Sequence, residues 1–154
     1  MRVRVIGVGS GFGDDAAGLA VVELLARGKL PAQITLSRCE RPMPDLLDAL
    51  GEAEAIVLVD AMRSGAPVDS VRRLLATEIT RSKATSSHGF GVASALLLAQ
   101  TLGASAERIE WVGIEAGPRR PGDPLSAAVR SALPEAAALA LALACEIANL
   151  DPGS

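Results

Sequence analysis

A continuous run of apolar residues, Ala55–Val59 with the sequence AIVLV, sets the strongest constraint on the fold. Acidic residues flank this run, at Glu54 and at Asp60. A strand with one solvated face alternates apolar and polar residues, whereas an unbroken apolar run between polar residues predicts a strand buried on both faces. Such strands occur in parallel sheets that helices cover on each side, so the run predicts an α/β domain.

The other predicted elements alternate between strands and helices. Strands are predicted at Val3–Val8, Gln33–Cys39, Ser70–Leu75 and Ile109–Ile114, and helices at Asp15–Arg27, Pro44–Leu50 and Gly89–Leu102. Asp123-Pro124 is expected to open a helical tail that Pro134 divides in two, because proline suits a first helical turn but breaks a helix interior. Since no linker or repeat interrupts the pattern, residues 1–154 are predicted to form one three-layer α/β domain with a mostly parallel sheet.

Composition excludes several classes of partner. The net charge of −3 and the pI near 5.2 give no basic surface for nucleic acid or for an anionic membrane. The apolar run Ala136–Leu150 is too short for a membrane span and contains Glu146.

Cys39 and Cys145 are far apart and have no metal-type spacing, so they are expected to be buried thiols. We expect a cytoplasmic monomer.

A glycine-rich loop, Gly7–Asp15 with the sequence GVGSGFGDD, follows the first predicted strand. A dinucleotide-binding loop requires G-x-G-x-x-G, but the sixth position is Phe12 in one frame and Asp14 in the other. Carboxylates at the start of the next helix would also repel the phosphate that such a loop binds. Glu40 stands where a ribose-binding acid would lie, so a nucleotide-binding domain remains an alternative.

Candidate site residues gather at the predicted carboxyl ends of the strands, where open α/β sheets bind ligands. Asp14 and Asp15 follow the first strand, Asp60 follows the third, and His88, the only histidine, precedes a predicted helix. Two carboxylates and one imidazole suit a borderline divalent ion such as nickel or zinc. The same groups could instead act as general acid and base without a metal, or simply cap helices and turns.

Conventional protease motifs are absent from the sequence. Ser10 and Ser87 do not lie on a G-x-S-x-G turn, and a single histidine excludes the H-E-x-x-H zinc motif. Arg119 and Arg120 follow the last strand, where they could bind an extended peptide or lie in a solvated loop.

The hydrogenase maturation endopeptidases are the family that the chain resembles, through GVGS…DDAAG, IVLVDA and SHGF followed by ASALLLAQTLG. The segment WVGIEAGPRRPGDPLSAAVRSALPEA is similar to the end of these enzymes, so the resemblance covers nearly the whole chain. One departure is Ser10, which stands where the family loop usually has asparagine. The resemblance implies a three-layer α/β/α sandwich around a five-stranded mixed sheet whose fourth strand is antiparallel.

The resemblance also implies an activity and a set of site residues. These enzymes remove the C-terminal extension from the precursor of a nickel–iron hydrogenase large subunit. By motif position, Asp15, Asp60 and His88 would bind the nickel that the precursor carries, and other divalent ions could replace it in vitro. These three residues and Asp14, as a base or a support, form the predicted catalytic set. A nickel-binding docking protein without hydrolytic activity is the second interpretation.

Overall fold

The computed structural model describes residues 1–9, 13–50, 53–74, 108–118 and 122–150. The strands in these ranges are β1 (Val3–Val8), β2 (Ile34–Cys39), β3 (Ala55–Met62), β4 (Val71–Leu74) and β5 (Arg108–Glu115). The helices are α1 (Ala17–Ala26), α2 (Pro42–Leu50) and α3 (Ala127–Ala148), and a 3-10 helix, Gly13–Ala16, precedes α1. The predicted helix Gly89–Leu102, Ser10, Ser87, His88, Arg119 and Arg120 lie outside the described residues.

The described strands form one five-stranded mixed sheet in the order β2-β1-β3-β5-β4. β1 runs parallel to β2 and to β3, and β3 runs parallel to β5. β4 pairs with β5 in the antiparallel direction, as predicted for the fourth strand. The carboxyl ends of four strands therefore lie at one edge of the sheet, where a site was predicted.

Helices cover both faces of the sheet. Alternate strand residues face opposite sides, so Val57 packs in one core with α1 and α3, while Ile56 packs in a second core with Leu46 of α2. Every residue of β3 is buried, which confirms the prediction from its apolar run. The three-layer α/β/α prediction is therefore confirmed.

The start of α3 corrects one prediction. The helix begins at Ala127 rather than at Asp123-Pro124. Ser126 is its N-cap, and the Ser126 hydroxyl accepts a hydrogen bond from the Val129 N–H at 3.3 Å. This contact satisfies one of the N–H groups that a helix start leaves without a partner.

Pro134 does not divide α3, contrary to the prediction. The helix continues through it, and buried residues of the same helix lie on either side, at Ala132 and Ala136. Pro134 itself is exposed, so its ring displaces no neighbour in the core. Burial of the surrounding face offsets the loss of one main-chain hydrogen bond.

The length and composition of α3 would also suit a membrane span, alone among the described helices. Half of its most apolar stretch is buried inside the protein, however. α3 packs against α1 and against β1, β3 and β5. Its apolar composition is thus explained in part by its place in the core.

Two glycines allow α1 to lie directly on the sheet. A Cβ atom at Gly18 of α1 would lie 2.3 Å from the carbonyl oxygens of Val8 and Val59. A Cβ atom at Gly7 of β1 would lie 2.2 Å from the Gly18 carbonyl oxygen. Main-chain atoms cannot move aside for a side chain as a flexible neighbour could. This contact fixes the start of α1, and with it the 3-10 helix, against the carboxyl edge of the sheet.

We predict that Gly18→Ala lowers the free energy of unfolding by about 3 kcal/mol, because the added methyl group meets main-chain atoms of two strands. Denaturation by urea, followed by circular dichroism, measures the change. Gly28→Ala is the matched control, since its Cβ would come no closer than 3.7 Å to the nearest heavy atom. Equal stabilities of the two variants would contradict the role of Gly18.

Candidate active site

Four acidic side chains are buried within the described part of the chain, and all lie at the carboxyl edge of the sheet. They are Asp14, Asp15, Asp60 and Glu115, with exposed fractions of 3%, 1%, 2% and 3%. Burying a carboxylate is costly unless hydrogen bonds or opposite charges compensate for lost hydration. The contacts of these side chains therefore indicate what each of them does.

Asp14 connects the 3-10 helix to the start of α3. Its Oδ2 atom accepts hydrogen bonds from the Gly117 N–H at 2.9 Å and from the Ser126 hydroxyl at 3.0 Å. Its Oδ1 atom accepts a hydrogen bond from the Ser126 N–H at 2.7 Å. The Gly13 N–H donates to the Asp123 carbonyl at 2.8 Å and reinforces the same connection. Because both carboxylate oxygens of Asp14 bind main-chain donors, this geometry favours a structural role for Asp14 over a role as a catalytic base.

Glu115, which was not among the predicted site residues, has a similar role at the end of β5. Its Oε1 atom accepts hydrogen bonds from the N–H groups of Ser64 at 2.8 Å and Gly65 at 3.0 Å. Its Oε2 atom accepts one from the Ser64 hydroxyl at 2.8 Å. These bonds hold the turn that follows β3. An acid at the end of an apolar strand was the sequence signal for this role.

Asp15 and Asp60 lie on elements that contact each other. Asp15 belongs to the 3-10 helix, and this helix packs against β3, which contains Asp60. The Oδ1 atom of Asp15 lies 3.7 Å from Nη2 of Arg63, the first residue after β3. That separation forms an ion pair but is too long for a hydrogen bond. The structure thus brings two predicted ligands to neighbouring elements at one edge of the sheet.

Burial raises the pKa of Asp60 and of the Cys39 thiol. Loss of hydration raises the pKa of Asp60 well above its ordinary value of 3.8, although a hydrogen bond from the Ala61 main chain opposes this shift. Burial also raises the pKa of the Cys39 thiol to about 12, and the charges of Asp45 and Asp60 add to the effect. Cys39 is therefore a neutral thiol and not an activated nucleophile. Cys39 and Cys145 are both buried and free, as predicted.

The described residues contain no group of three histidine, cysteine or acidic side chains arranged to hold a metal ion. His88, the third predicted ligand, lies outside them. Asp15 and Asp60 still fit a cation by their chemistry, since they are buried oxygen donors and a bound cation would replace a proton or a guanidinium as the compensating charge. A phosphate fits poorly, because Asp14 and Asp15 occupy the helix start that would bind it.

The fold and the site define an α/β/α protein with a buried acidic centre at the carboxyl edge of a mixed sheet. Residues 20–143 match the family model described as "Hydrogenase maturation protease". The chain belongs to the hydrogenase maturation protease family, and it is a protease.

Solved structures of similar fold carry the same kind of description. The hydrogenase maturating endopeptidase HybD from Escherichia coli has a TM-score of 0.82 and 24% identity, over 95% of this chain and 93% of that one. HybD from Thermococcus kodakarensis, a [NiFe] hydrogenase maturation protease, has a TM-score of 0.75 and 25% identity, over 94% and 99%. The solution structure of an Escherichia coli endopeptidase has a TM-score of 0.83 and 24% identity, over 98% and 96%. A comparison with curated proteins finds no significant match.

We predict that Asp14→Ala lowers the free energy of unfolding by roughly 2–4 kcal/mol, because it leaves two main-chain N–H groups without their acceptor. Thermal and urea unfolding measure the loss. Asp48→Ala, which removes an exposed carboxylate from α2, is the control and should change stability by less than about 0.5 kcal/mol. An Asp14→Ala variant as stable as this control would exclude the supporting role.

We predict that Asp60 makes the fold less stable as the pH rises. Above pH 3.8 the unfolded chain releases this proton while the folded protein retains it, so stability falls until the raised pKa of Asp60 is passed. Asp60→Asn removes this dependence and should be the more stable protein at neutral pH, by at least roughly 1 kcal/mol. Urea unfolding of both proteins from pH 4.5 to 8 tests this. Parallel pH curves for the two proteins would contradict it.

Proposed function

We propose that this protein removes the C-terminal extension from the nickel-loaded precursor of a [NiFe]-hydrogenase large subunit. Membership of the maturation protease family supports a hydrogenase precursor as substrate. The observation that carries the nickel part is the burial of Asp15 and Asp60 on contacting elements, where most ligand sites of parallel sheets lie. In this proposal nickel belongs to the substrate and is what the enzyme recognises.

Asp15 and Asp60 supply two oxygen ligands for the substrate's nickel, and His88 supplies a nitrogen ligand. Nickel accepts such a mixed set, and three protein ligands leave positions for groups of the precursor. Holding the metal also holds the neighbouring chain, so the scissile peptide bond is placed beside the site. Placement of this kind turns an encounter between two molecules into a step within one complex.

Peptide hydrolysis then needs a group that takes a proton from the attacking water. A bound divalent ion can acidify that water, and a carboxylate can accept the proton directly. Asp14 assists as a support, because its hydrogen bonds to Gly117 and Ser126 hold the 3-10 helix that contains Asp15.

We further propose that the enzyme works as a cytoplasmic monomer that meets its precursor by direct docking. Among the described residues, Met1 is the only large hydrophobic side chain that is exposed. A stable oligomer usually needs a larger apolar surface than that. The net charge of −3 gives no electrostatic attraction to nucleic acid or to an anionic membrane.

We predict that Asp15→Ala and His88→Ala each slow processing of the nickel-loaded precursor by at least about 100-fold, because the scissile bond is no longer held in place. Mass spectrometry of the precursor over time measures cleavage, and circular dichroism checks the fold. Asp48→Ala, which changes an exposed acid on α2, should process the precursor at the wild-type rate. Full processing by His88→Ala would exclude the nickel mechanism.

A further inference from the structure

The ion pair between Arg63 and Asp15 is explained neither by metal binding nor by the hydrogen bonds of Asp14 and Glu115. Asp15 is 1% exposed, whereas the Arg63 side chain is 35% exposed. The Nη2 atom of Arg63 is itself buried, 3.7 Å from Asp15, and makes no hydrogen bond within the described part of the chain. An arginine buried for stability would normally donate hydrogen bonds to its carboxylate.

A second arginine pair in the same sheet shows the contrast. Arg73 of β4 donates two hydrogen bonds to Glu110 of β5, through Nε at 2.9 Å and Nη2 at 2.7 Å. This two-point contact fixes both the position and the orientation of the guanidinium. Arg63 has no such contact with Asp15, so within the described part of the chain it is attraction between charges that holds its guanidinium there. A competing cation can therefore displace it.

The main chain beside Arg63 is fixed, although its guanidinium is not. Ser64 and Gly65 donate their N–H groups to Glu115 at 2.8 and 3.0 Å. Arg63 also directly follows Met62, which is buried at the end of β3. Rotation about side-chain bonds is then enough to carry the guanidinium from Asp15 into solvent, with no change in the turn.

We propose that Arg63 is a positioning residue that takes the place of the substrate's metal charge beside Asp15 in the free enzyme. This inference rests on the proposed function, because it requires Asp15 to be a ligand of the nickel in the precursor. Arg63 must move aside before Asp15 can bind a metal ion. A free divalent ion has to displace it unaided, whereas the precursor adds its protein contacts. Arg63 thus weakens the binding of free ions, and the protein contacts of the precursor offset the same cost for its nickel.

The direct test is the affinity of the full-length enzyme for Cd²⁺ alone, measured by isothermal titration calorimetry without precursor. Arg63→Gln should bind Cd²⁺ on the order of tenfold more tightly than wild type, because the charge of Arg63 no longer competes for Asp15. Arg63→Lys keeps the charge and should stay within about threefold of wild type. Arg73→Gln removes the same charge from the pair with Glu110 and should leave the affinity unchanged.

Wild-type or weaker binding of Cd²⁺ by a folded Arg63→Gln variant would overturn the proposal. A measurement on the wild-type protein does not depend on the folding of that variant. The Nε–H signal of Arg63 in a nitrogen-15 NMR spectrum should shift as Cd²⁺ is added. If the ion binds through Asp15 and this signal does not move, the proposal is wrong.

Asp15→Asn separates this proposal from the proposed function. If Asp15→Asn binds Cd²⁺ as tightly as wild type, Asp15 is not a ligand, and metal recognition by Asp15 fails together with the role of Arg63. If Asp15→Asn binds Cd²⁺ more weakly but Arg63→Gln does not bind it more tightly, only the role of Arg63 fails.

Discussion

Direct contact between the main chains of α1 and the sheet is the constraint on which the rest of the structure depends. A Cβ atom at Gly18 would meet the carbonyl oxygens of Val8, the last residue of β1, and of Val59, which directly precedes Asp60 in β3. Any side chain at this point would lift α1 and carry the 3-10 helix away from β3. Gly7 and Gly18 therefore bring the helix close enough to the sheet for Asp14 and Asp15 to be buried at its edge.

Hydrogen bonding divides the buried acids into two kinds. Asp14 accepts a main-chain hydrogen bond through each of its carboxylate oxygens, and Glu115 accepts two through a single oxygen. Each charge is therefore compensated by main-chain donors, which cannot move away. They join the end of β5 to α3 and to the turn after β3. Asp15 and Asp60 lie within the frame that these bonds make. The Arg63 guanidinium, which can move, compensates part of the charge of Asp15. For Asp60, burial raises the pKa, which favours the neutral form of the side chain.

Patterns along the chain predicted the layers and the sheet, because burial on two faces leaves a strong signal in β3. They could not predict that α3 continues through Pro134. Burial of Ala132 and Ala136 offsets the lost hydrogen bond, and this burial depends on packing in the folded protein. Asp14 and Asp15 are identical and adjacent, so local sequence cannot distinguish them. Asp14 has a supporting role because Ser126, more than a hundred residues away, donates to its carboxylate.

In the proposed mechanism the site binds a cation only during reaction, so it must also be stable without one. Two buried carboxylates with no compensating charge would destabilise the fold, and a permanent cation held by several hydrogen bonds would block the substrate. A loosely held guanidinium avoids both outcomes, because the fold keeps a positive charge near Asp15 at the cost of a weak contact. Displacing that charge makes binding of any metal ion less favourable by the same amount. The cost falls equally on free and substrate-borne ions, but only the substrate brings further contacts to offset it. In the proposed mechanism, selection for the loaded precursor therefore comes from its additional protein contacts, while Arg63 lowers the occupancy of the site by free ions.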